Sequence, residues 1–404
     1  MTHEPASILA QRPFALFWLS RVLSTVAFYM QAVAIGWQMY ALTGNPVDLG
    51  LVGLVQFLAT ISLTLVVGHV ADRYDRRAII TVCQVIGALG AFTLMAGSLG
   101  GWLAKPTILA IVAGVGAARA FENPTMAALV PGLVARPLIP RAMAWSVSAT
   151  QTAQIVGPAL GGLVYGVAPA AVYGACATLL ALAAVSSALI RHSPAARSRE
   201  PLTLRPFFSG ILFILRHPVL LGIMSLDLFA VLLGGATALL PIYARDILGT
   251  GPWGLGLLRS APALGALTMS VLLARYPLQR RVGSILFTVV MVFGAVTIVF
   301  GLSTRLLLSL AALAVMGGAD VVSVVIRFSL VQIQTPDEMR GRVSAVSSLF
   351  TGTSNQLGEF RAGLMAAALG AVPAVLLGGI GTIAVAALWM ALFPQLRRVR
   401  AFEG

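Results

Sequence analysis

The chain contains very little charge for its length. Only 10% of its 404 residues are Asp, Glu, Lys or Arg, whereas 58% are hydrophobic, and the mean hydropathy is +0.93. A soluble globular domain carries about 25% charged residues. The scarcity of charge therefore excludes a soluble globular protein and indicates an integral membrane protein.

Cysteine and histidine are scarce as well. The two cysteines, Cys83 and Cys176, both lie inside apolar runs, and the four histidines lie apart from one another near the ends of such runs. We therefore expect neither a disulfide framework nor a metal site. The sequence also lacks the glycine-rich phosphate loop of ATPases, so we expect no nucleotide and no other cofactor.

Lysine is almost absent, although the net charge is +14. Lys105 is the single lysine, and the other 26 of the 27 basic residues are arginine. Because arginine is so dominant, one arginine alone does not indicate an anion site. The arginines lie mainly between apolar runs, which is typical of a membrane protein and argues against a nucleic-acid partner.

Long apolar runs occupy most of the chain. A run of about twenty residues crosses the hydrocarbon core of a bilayer as an α-helix. The first run is too long for a signal peptide, so we expect it to be retained. We predict an all-α integral membrane protein with twelve transmembrane helices. The predicted spans are 14–42, 49–70, 78–101, 106–130, 142–166, 169–190, 218–242, 253–274, 282–302, 306–329, 343–367 and 371–393.

The distribution of arginine between loops predicts the orientation. If the N-terminus is cytoplasmic, the cytoplasmic segments hold 19 arginines and the outer loops hold three basic residues. Because cytoplasmic loops are enriched in Lys and Arg, both termini are expected in the cytoplasm.

The longest polar interruption divides the chain into two halves. Its second part carries apolar residues at helical spacing, which predicts an amphipathic helix along the inner membrane surface; these residues are Phe207, Phe208, Ile211, Leu212 and Leu215. We predict a six-helix bundle over 1–190, a linker over 191–217 and a second six-helix bundle over 218–404. A shift of 201 residues supports two parallel pseudo-repeats, since it aligns Gly157 with Gly358 and Gly162 with Gly363.

Two motifs carry a family resemblance. The segment from Gly68 to Arg77 has the pattern G-x-x-x-D-R-x-x-R-R, and it resembles the loop between helices 2 and 3 of the major facilitator superfamily, with Asp75 where glycine is usual. The gating residues that this resemblance implies are Gly68, Asp72, Arg73, Arg76 and Arg77. The segment Gly157-Pro158-Ala159-Leu160-Gly161-Gly162 resembles the antiporter motif of that superfamily, and it also suits close helix packing.

The resemblance extends over nearly the whole chain. The segments 118–132, 236–249 and 317–348 are similar to the branch of bacterial enterobactin exporters and proton-coupled drug efflux proteins. The fold implied is the major facilitator fold, in which helices 1, 4, 7 and 10 line a central cavity. The resemblance places Arg21, Gln31, Arg119, Asp227 and Asp320 in this substrate cavity.

Charged residues within predicted spans are the main site candidates. Each costs at least about 2.5 kcal/mol at the bilayer centre unless it is paired or hydrated. We expect proton coupling to involve Asp320, Asp227, Arg119, Arg327 and Glu359. The alternative is that they form static ion pairs that fix helix packing. Glu122 is expected to cap or gate helix 4, or to contact the substrate.

Asp320 is expected to be the coupling residue ahead of Asp227. The small residues Gly317, Gly318 and Ala319 leave room for water beside it. Arg327 lies seven residues on, which is two turns and the same helix face. The internal repeat aligns Arg119 with Asp320 and places Arg21 within one residue of Asp227, so we also expect arginines of the first half to pair with these carboxylates.

The sequence thus predicts a secondary active transporter and no enzyme. We expect a monomer in a bacterial cytoplasmic membrane that exports a small amphipathic molecule, such as a drug or a siderophore-like compound, in exchange for protons. Three alternatives stay open: a proton-coupled importer of a metabolite, a non-transporting accessory or sensor protein, and a membrane-embedded enzyme, for which the sequence shows no reactive dyad.

Overall fold

The computed structural model of the chain describes residues 8–190, 205–278 and 280–399. Within these ranges it describes only the backbone at 64–65, 68–69, 71–72 and 205–208. The first part of the predicted linker, 191–204, therefore lies outside the described residues. So do the side chains of Asp72, Phe207 and Phe208.

The described residues are helical almost throughout, and they include no β-strand. The first helices are α1 (Arg12–Thr43), α2 (Pro46–Arg73), α3 (Arg76–Gly100), α4 (Lys105–Leu129), α5 (Ile139–Val167), α6 (Pro169–Ala188) and α7 (Arg205–Arg216). The following ones are α8 (Pro218–Gly234), α9 (Leu240–Ile242), α10 (Gly251–Arg275), α11 (Val282–Leu302), α12 (Leu306–Gln334), α13 (Asp337–Leu369), α14 (Ala371–Leu392) and α15 (Pro394–Arg397). Helices suit a bilayer because they satisfy every backbone hydrogen bond internally.

Nine helical segments in the described part of the chain are long and apolar enough to cross a membrane. The chain is therefore a multi-pass membrane protein. Three further long helices, α4, α5 and α13, fall short of that hydropathy because they carry more charged and polar side chains. The number of twelve spans stays a prediction.

The predicted span 218–242 is interrupted in the structure. Helix α8 ends at Gly234, and Gly235 leaves the helical region with φ −58° and ψ 54°. A 3₁₀ turn over Ala236–Leu239, the short α9 and a π-helical turn over Tyr243–Ile247 follow. A Cβ atom on Gly235 would lie 2.6 Å from the backbone carbonyl carbon of Gly358. The break thus occurs where α8 packs directly on the backbone of α13.

The described residues form two compact units. Among them, unit 1 comprises 8–44, 55–190 and 251–260, and unit 2 comprises 45–54, 205–250, 261–278 and 280–399. Helix α7 belongs to unit 2, where buried Ile214 packs against Val343 and Val346 of α13. The domain limits 1–190, 191–217 and 218–404 stay a prediction.

In unit 1 the glycines of the Gly157–Gly162 segment lie where helices approach most closely. A Cβ atom on Gly157 would lie 2.7 Å from Tyr29 Cβ, and one on Gly161 would lie 2.8 Å from Met30 Cα, both in α1. A Cβ on Gly162 would lie 2.9 Å from Gly256 Cα in α10. Real Cβ atoms do not come this close, so these positions need glycine for packing.

The same arrangement occurs in unit 2 at the positions that the repeat predicts. Gly358, which aligns with Gly157, faces the backbone of α8: a Cβ there would lie 2.8 Å from the Val231 carbonyl oxygen. Gly363, which aligns with Gly162, faces α2, where a Cβ would lie 3.2 Å from Gly50 Cα. The weak sequence repeat therefore corresponds to equivalent helix contacts in the two units.

Candidate functional site

Unit 2 contains two cavities that share one carboxylate. The larger has a volume of about 620 Å³ including space open to solvent, and the smaller has about 320 Å³ on the same measure. Asp320 of α12 and Phe293 of α11 line both cavities. Ligand pockets are mostly apolar with a few polar groups that fix orientation, and the larger cavity has this character.

Asp320 differs from the buried acids Glu122 and Asp227 in that no residue in the described part of the chain neutralises it. Its side chain is exposed within the cavities, and among the described residues it has no hydrogen-bond or ion-pair partner. Gly317 allows close packing beneath it, since a Cβ there would meet the backbone of Pro262 in α10. A carboxylate in such a place can take up a proton or a cation without first breaking an internal contact.

Arg327 does not pair with Asp320, contrary to the expectation from helical spacing. Its guanidinium forms an ion pair with Asp227 of α8, and Thr351 Oγ1 donates to Asp227 Oδ2 at 3.4 Å. The side chains of Arg327 and Asp227 are 9% and 11% exposed. Arg327 and Asp320 both lie on α12, seven residues apart, but the Arg327 guanidinium pairs with a carboxylate from another helix.

Glu359 and Arg361 of α13 hold the two sides of the break after α8. Thr237 Oγ1, beyond the break, donates to Glu359 Oε1 at 3.3 Å. The Arg361 guanidinium donates to the carbonyl oxygen of Leu233, just before the break. A helix end leaves carbonyl groups without intrahelical partners, and Arg361 satisfies one of them.

Unit 1 holds a buried polar network around Glu122 of α4, which is 2% exposed. Ser24 Oγ donates to Glu122 Oε1 at 2.6 Å, and Gln84 Nε2 donates to the same oxygen at 3.1 Å. Arg119 Nη1 donates to Glu122 Oε2 at 3.2 Å, and its guanidinium lies 4.3 Å from the centre of the Phe28 ring. Three donors satisfy the carboxylate, so the network holds α1, α3 and α4 together.

The remaining cavity candidates of unit 1 lie on α1. The Arg21 guanidinium donates to Thr150 Oγ1 of α5 at 3.3 Å. Gln31 is buried, and among the described residues its Nε2 atom has no hydrogen-bond partner. A buried amide donor without a partner is costly, so Gln31 has unused hydrogen-bonding capacity, as does Gln38 of the same helix through its Oε1 atom.

The arginines of the loop between α2 and α3 bind helix ends of unit 1. Arg76 Nη1 donates to the carbonyl oxygen of Ala128 at 2.8 Å, and Arg77 Nη1 donates to that of Ile190 at 3.0 Å. Positive charge is favourable at helix C-termini. Asp75, where the superfamily usually has glycine, has extended backbone with φ −64°, and its side chain accepts from Arg77 N. Asp75 is therefore the N-cap of α3, a position that needs no glycine.

Sequence reasoning missed several residues that the structure brings together. Gln84, Ser20 and Ser187 join the Glu122 network, with Gln84 Nε2 donating to Ser20 Oγ at 2.8 Å and Ser187 Oγ donating to Gln84 Oε1 at 3.0 Å. Phe293 was missed because an aromatic residue in an apolar run is ordinary. Gln84 did carry a signal, since an amide within a predicted span requires a buried partner.

Comparisons with known proteins agree with this architecture. The profile of the transmembrane secretion effector family matches residues 4–403. Among curated proteins, the chain is 27% identical over 408 aligned positions to the enterobactin exporter EntS of Citrobacter koseri, with 98% of this chain and 95% of that protein covered. It is 26% identical to the enterobactin exporter EntS of Escherichia coli, over the same shares of the two chains.

Solved structures share the fold at low sequence identity. A bacterial homologue of the human lysosomal transporter Spinster matches with a TM-score of 0.74 at 13% identity, covering 97% of each chain. A bacterial homologue of the iron transporter ferroportin matches with a TM-score of 0.70 at 17% identity, covering 97% of this chain and 100% of that one. The resemblance to the major facilitator superfamily, found first in the motifs, is confirmed. The chain belongs to the transmembrane secretion effector family of major facilitator transporters.

Proposed function

We propose that the chain is a proton-coupled exporter of small amphipathic molecules that works by alternating access in the bacterial cytoplasmic membrane, with both termini in the cytoplasm. The observation that carries this proposal is Asp320, a carboxylate that lines two cavities of unit 2 without an internal partner among the described residues. The export direction rests on the printed names of the curated relatives, which are exporters.

The coupling role follows from the environment of the carboxylate. In low dielectric the neutral form of an acid is favoured, while water or a cation stabilises the ionised form. A conformational change that alters the access of water to Asp320 therefore alters its affinity for a proton. Asp227 is less suited to this role, because it is already paired with Arg327.

The energy source is testable in cells that express the chain and are loaded with a fluorescent amphipathic substrate. If the chain is a proton antiporter, an ionophore that collapses the proton gradient raises substrate accumulation. Depleting ATP while the gradient is held changes little. Cells that express D320N, which removes the ionisable group, serve as the matched control and show no response to the ionophore.

Two outcomes contradict the proposal. If ATP depletion abolishes export while the gradient is intact, the transport is not driven by protons. If collapse of the gradient lowers accumulation in the wild type, the chain is an importer. Right-side-out vesicles then give the direction directly, since an exporter does not accumulate substrate in them.

A further inference from the structure

We propose that the smaller cavity of unit 2 binds one water molecule, which Ser323 holds against the carboxylate of Asp320. Ser323 is then a positioning residue, because it acts on proton coupling through the water and does not itself take up the proton. The inference deepens the proposed function and rests on it for the role of Asp320. The water site itself rests on the size of the cavity, its polar groups and their geometry.

The size of the smaller cavity fits one water molecule and no substrate. The volume that the centre of a water molecule can reach in it is about 20 Å³. A cavity needs about 10–15 Å³ on this measure to hold one water. The space is therefore sufficient for one water molecule and too small for an organic ligand.

The described residues that line this cavity include three polar side chains. These are Asp227 of α8 and Asp320 and Ser323 of α12. A buried water makes about three hydrogen bonds, mostly to polar groups that otherwise lack a partner. The rest of the wall is apolar and consists of Ala230, Val231, Val289, Val290, Phe293 and Ala319. The wall thus offers the number of polar partners that one bound water needs.

The three polar side chains have unused hydrogen-bonding capacity. Asp320 and Ser323 have no hydrogen-bond partner among the described residues. Asp227 pairs with Arg327 and accepts from Thr351, but each carboxylate oxygen has two lone pairs and can accept once more. A water molecule can therefore donate its two hydrogens to Asp320 and Asp227 and accept one from the Ser323 hydroxyl.

The spacing on α12 places Ser323 beside both carboxylates. Residues three and four apart are neighbours on one face of a helix. Ser323 lies three residues after Asp320 and four before Arg327, and Arg327 pairs with Asp227 of α8. The serine thus lies on the helix face that leads from the unpaired carboxylate to the paired one.

The bound water favours the ionised form of Asp320, because a hydrogen bond donated to a carboxylate stabilises its charge. The other charged residues that line the two cavities are the acids Asp227 of α8 and Glu359 of α13, and Arg327 is engaged by Asp227. The described residues that α10 and α11 contribute to these walls are uncharged. Without the water, burial and the neighbouring acids both favour the protonated form.

Ser323→Thr and Ser323→Val form the matched pair that tests the inference, since the two new side chains have nearly the same shape and only threonine keeps the hydroxyl. Infrared difference spectra of the purified full-length chain in lipid nanodiscs give two readouts. The first is the O–H stretch of an ordered water, identified by its shift in water labelled with a heavy oxygen isotope. The second is the carboxylic C=O band that appears on acidification of the wild type and is missing in D320N.

We expect S323T to keep the water band and S323V to lose it. Loss of a hydrogen bond to a charged group changes the protonation equilibrium about tenfold or more. The Asp320 band of S323V should therefore titrate about one pH unit or more above that of the wild type and of S323T. T288V, which removes a hydroxyl at an exposed position of α11, is the control and should change neither readout. If S323V does not fold, S323A removes the hydroxyl without adding volume and should show the same two changes.

Two outcomes overturn the inference. One is that folded S323T and S323V, or S323T and S323A, give equal spectra and titrations. The other is that loss of the hydroxyl moves the Asp320 titration to lower pH. Failure of the proposed function looks different: the water band and the titration shift are found, but proteoliposomes show no gradient-driven flux. If flux is gradient-driven and D320N abolishes it, while S323V changes neither readout, the water site alone is refuted.

Discussion

Removal of either partner of the Asp227–Arg327 ion pair is expected to destabilise unit 2 strongly. Their side chains are 11% and 9% exposed, so each charge depends on the other for compensation. Breaking a buried pair by removing one partner costs about 3–5 kcal/mol. For a compact unit of roughly 200 residues this loss lowers the melting temperature by about 6–20 °C. The single variants D227N and R327M should both show it.

The double variant D227N/R327M separates a structural role from a functional one. Replacing a whole buried ion pair by hydrophobic residues of similar volume is often neutral or stabilising. The double variant leaves neither charge uncompensated, so it should regain much of the lost stability. Melting of the purified protein in detergent, followed by intrinsic tryptophan fluorescence, measures this. We also expect gradient-driven flux to return, because the coupling role is assigned to Asp320.

An exposed ion pair on α13 provides the matched control. Asp337 Oδ1 and Arg340 Nη1 lie 2.6 Å apart, but their side chains are 82% and 48% exposed. Exposed pairs contribute at most about 1 kcal/mol, so D337N should shift the melting temperature very little. If D227N shifts the melting temperature as little as D337N does, the Asp227–Arg327 pair does not stabilise unit 2. If the double variant is stable but inactive, the pair takes part in transport.

Three further predictions follow from the loops and helix contacts. R76A and R77A should each lower the free energy of unfolding by about 1–2 kcal/mol, because each removes a charged donor from a helix C-terminus. R73A, at an exposed position, should change the free energy of unfolding by less than about 0.5 kcal/mol. Thermal melting of the three variants measures the difference. G162A should lower the free energy of unfolding by about 1–3 kcal/mol, because the added methyl group overpacks against α10. G166A is the control and should leave the melting temperature unchanged, since a Cβ there would meet nothing within 4 Å. Equal effects of the two variants would argue against the close contact. Asp72, just before the end of α2, is expected to stabilise the state closed to the cytoplasm, so D72N should cut turnover while substrate affinity stays near normal, and normal turnover would exclude this role.

The helices were predictable because a membrane leaves little choice. A run of about twenty apolar residues must satisfy its backbone groups internally, so α3, α6 and α14 fall within a few residues of their predicted spans. The interruption after Gly234 was not predictable in the same way. Hydropathy continues through it, and the carbonyl group it frees is satisfied by Arg361, which is far away in sequence.

The sequence showed which charged residues lie within the predicted spans, but it did not show which residues they pair with. Helical spacing correctly marks which side chains share a face of one helix, but Arg327 pairs with Asp227 of another helix. Likewise, Glu122 gains two of its donors, Ser24 and Gln84, from α1 and α3. Such contacts depend on how the helices pack together, and the periodicity of a single sequence does not reveal which helices are neighbours.

Gradient-driven flux in proteoliposomes that contain D320N tests the central claim most directly. The account predicts that D320N no longer concentrates substrate against a gradient, because the carboxylate that takes up the proton is gone. Gradient-independent exchange of a neutral substrate should persist, which shows that the protein is folded and still alternates. If D320N concentrates substrate with the wild-type proton stoichiometry, Asp320 does not couple protons to transport, and the account is wrong.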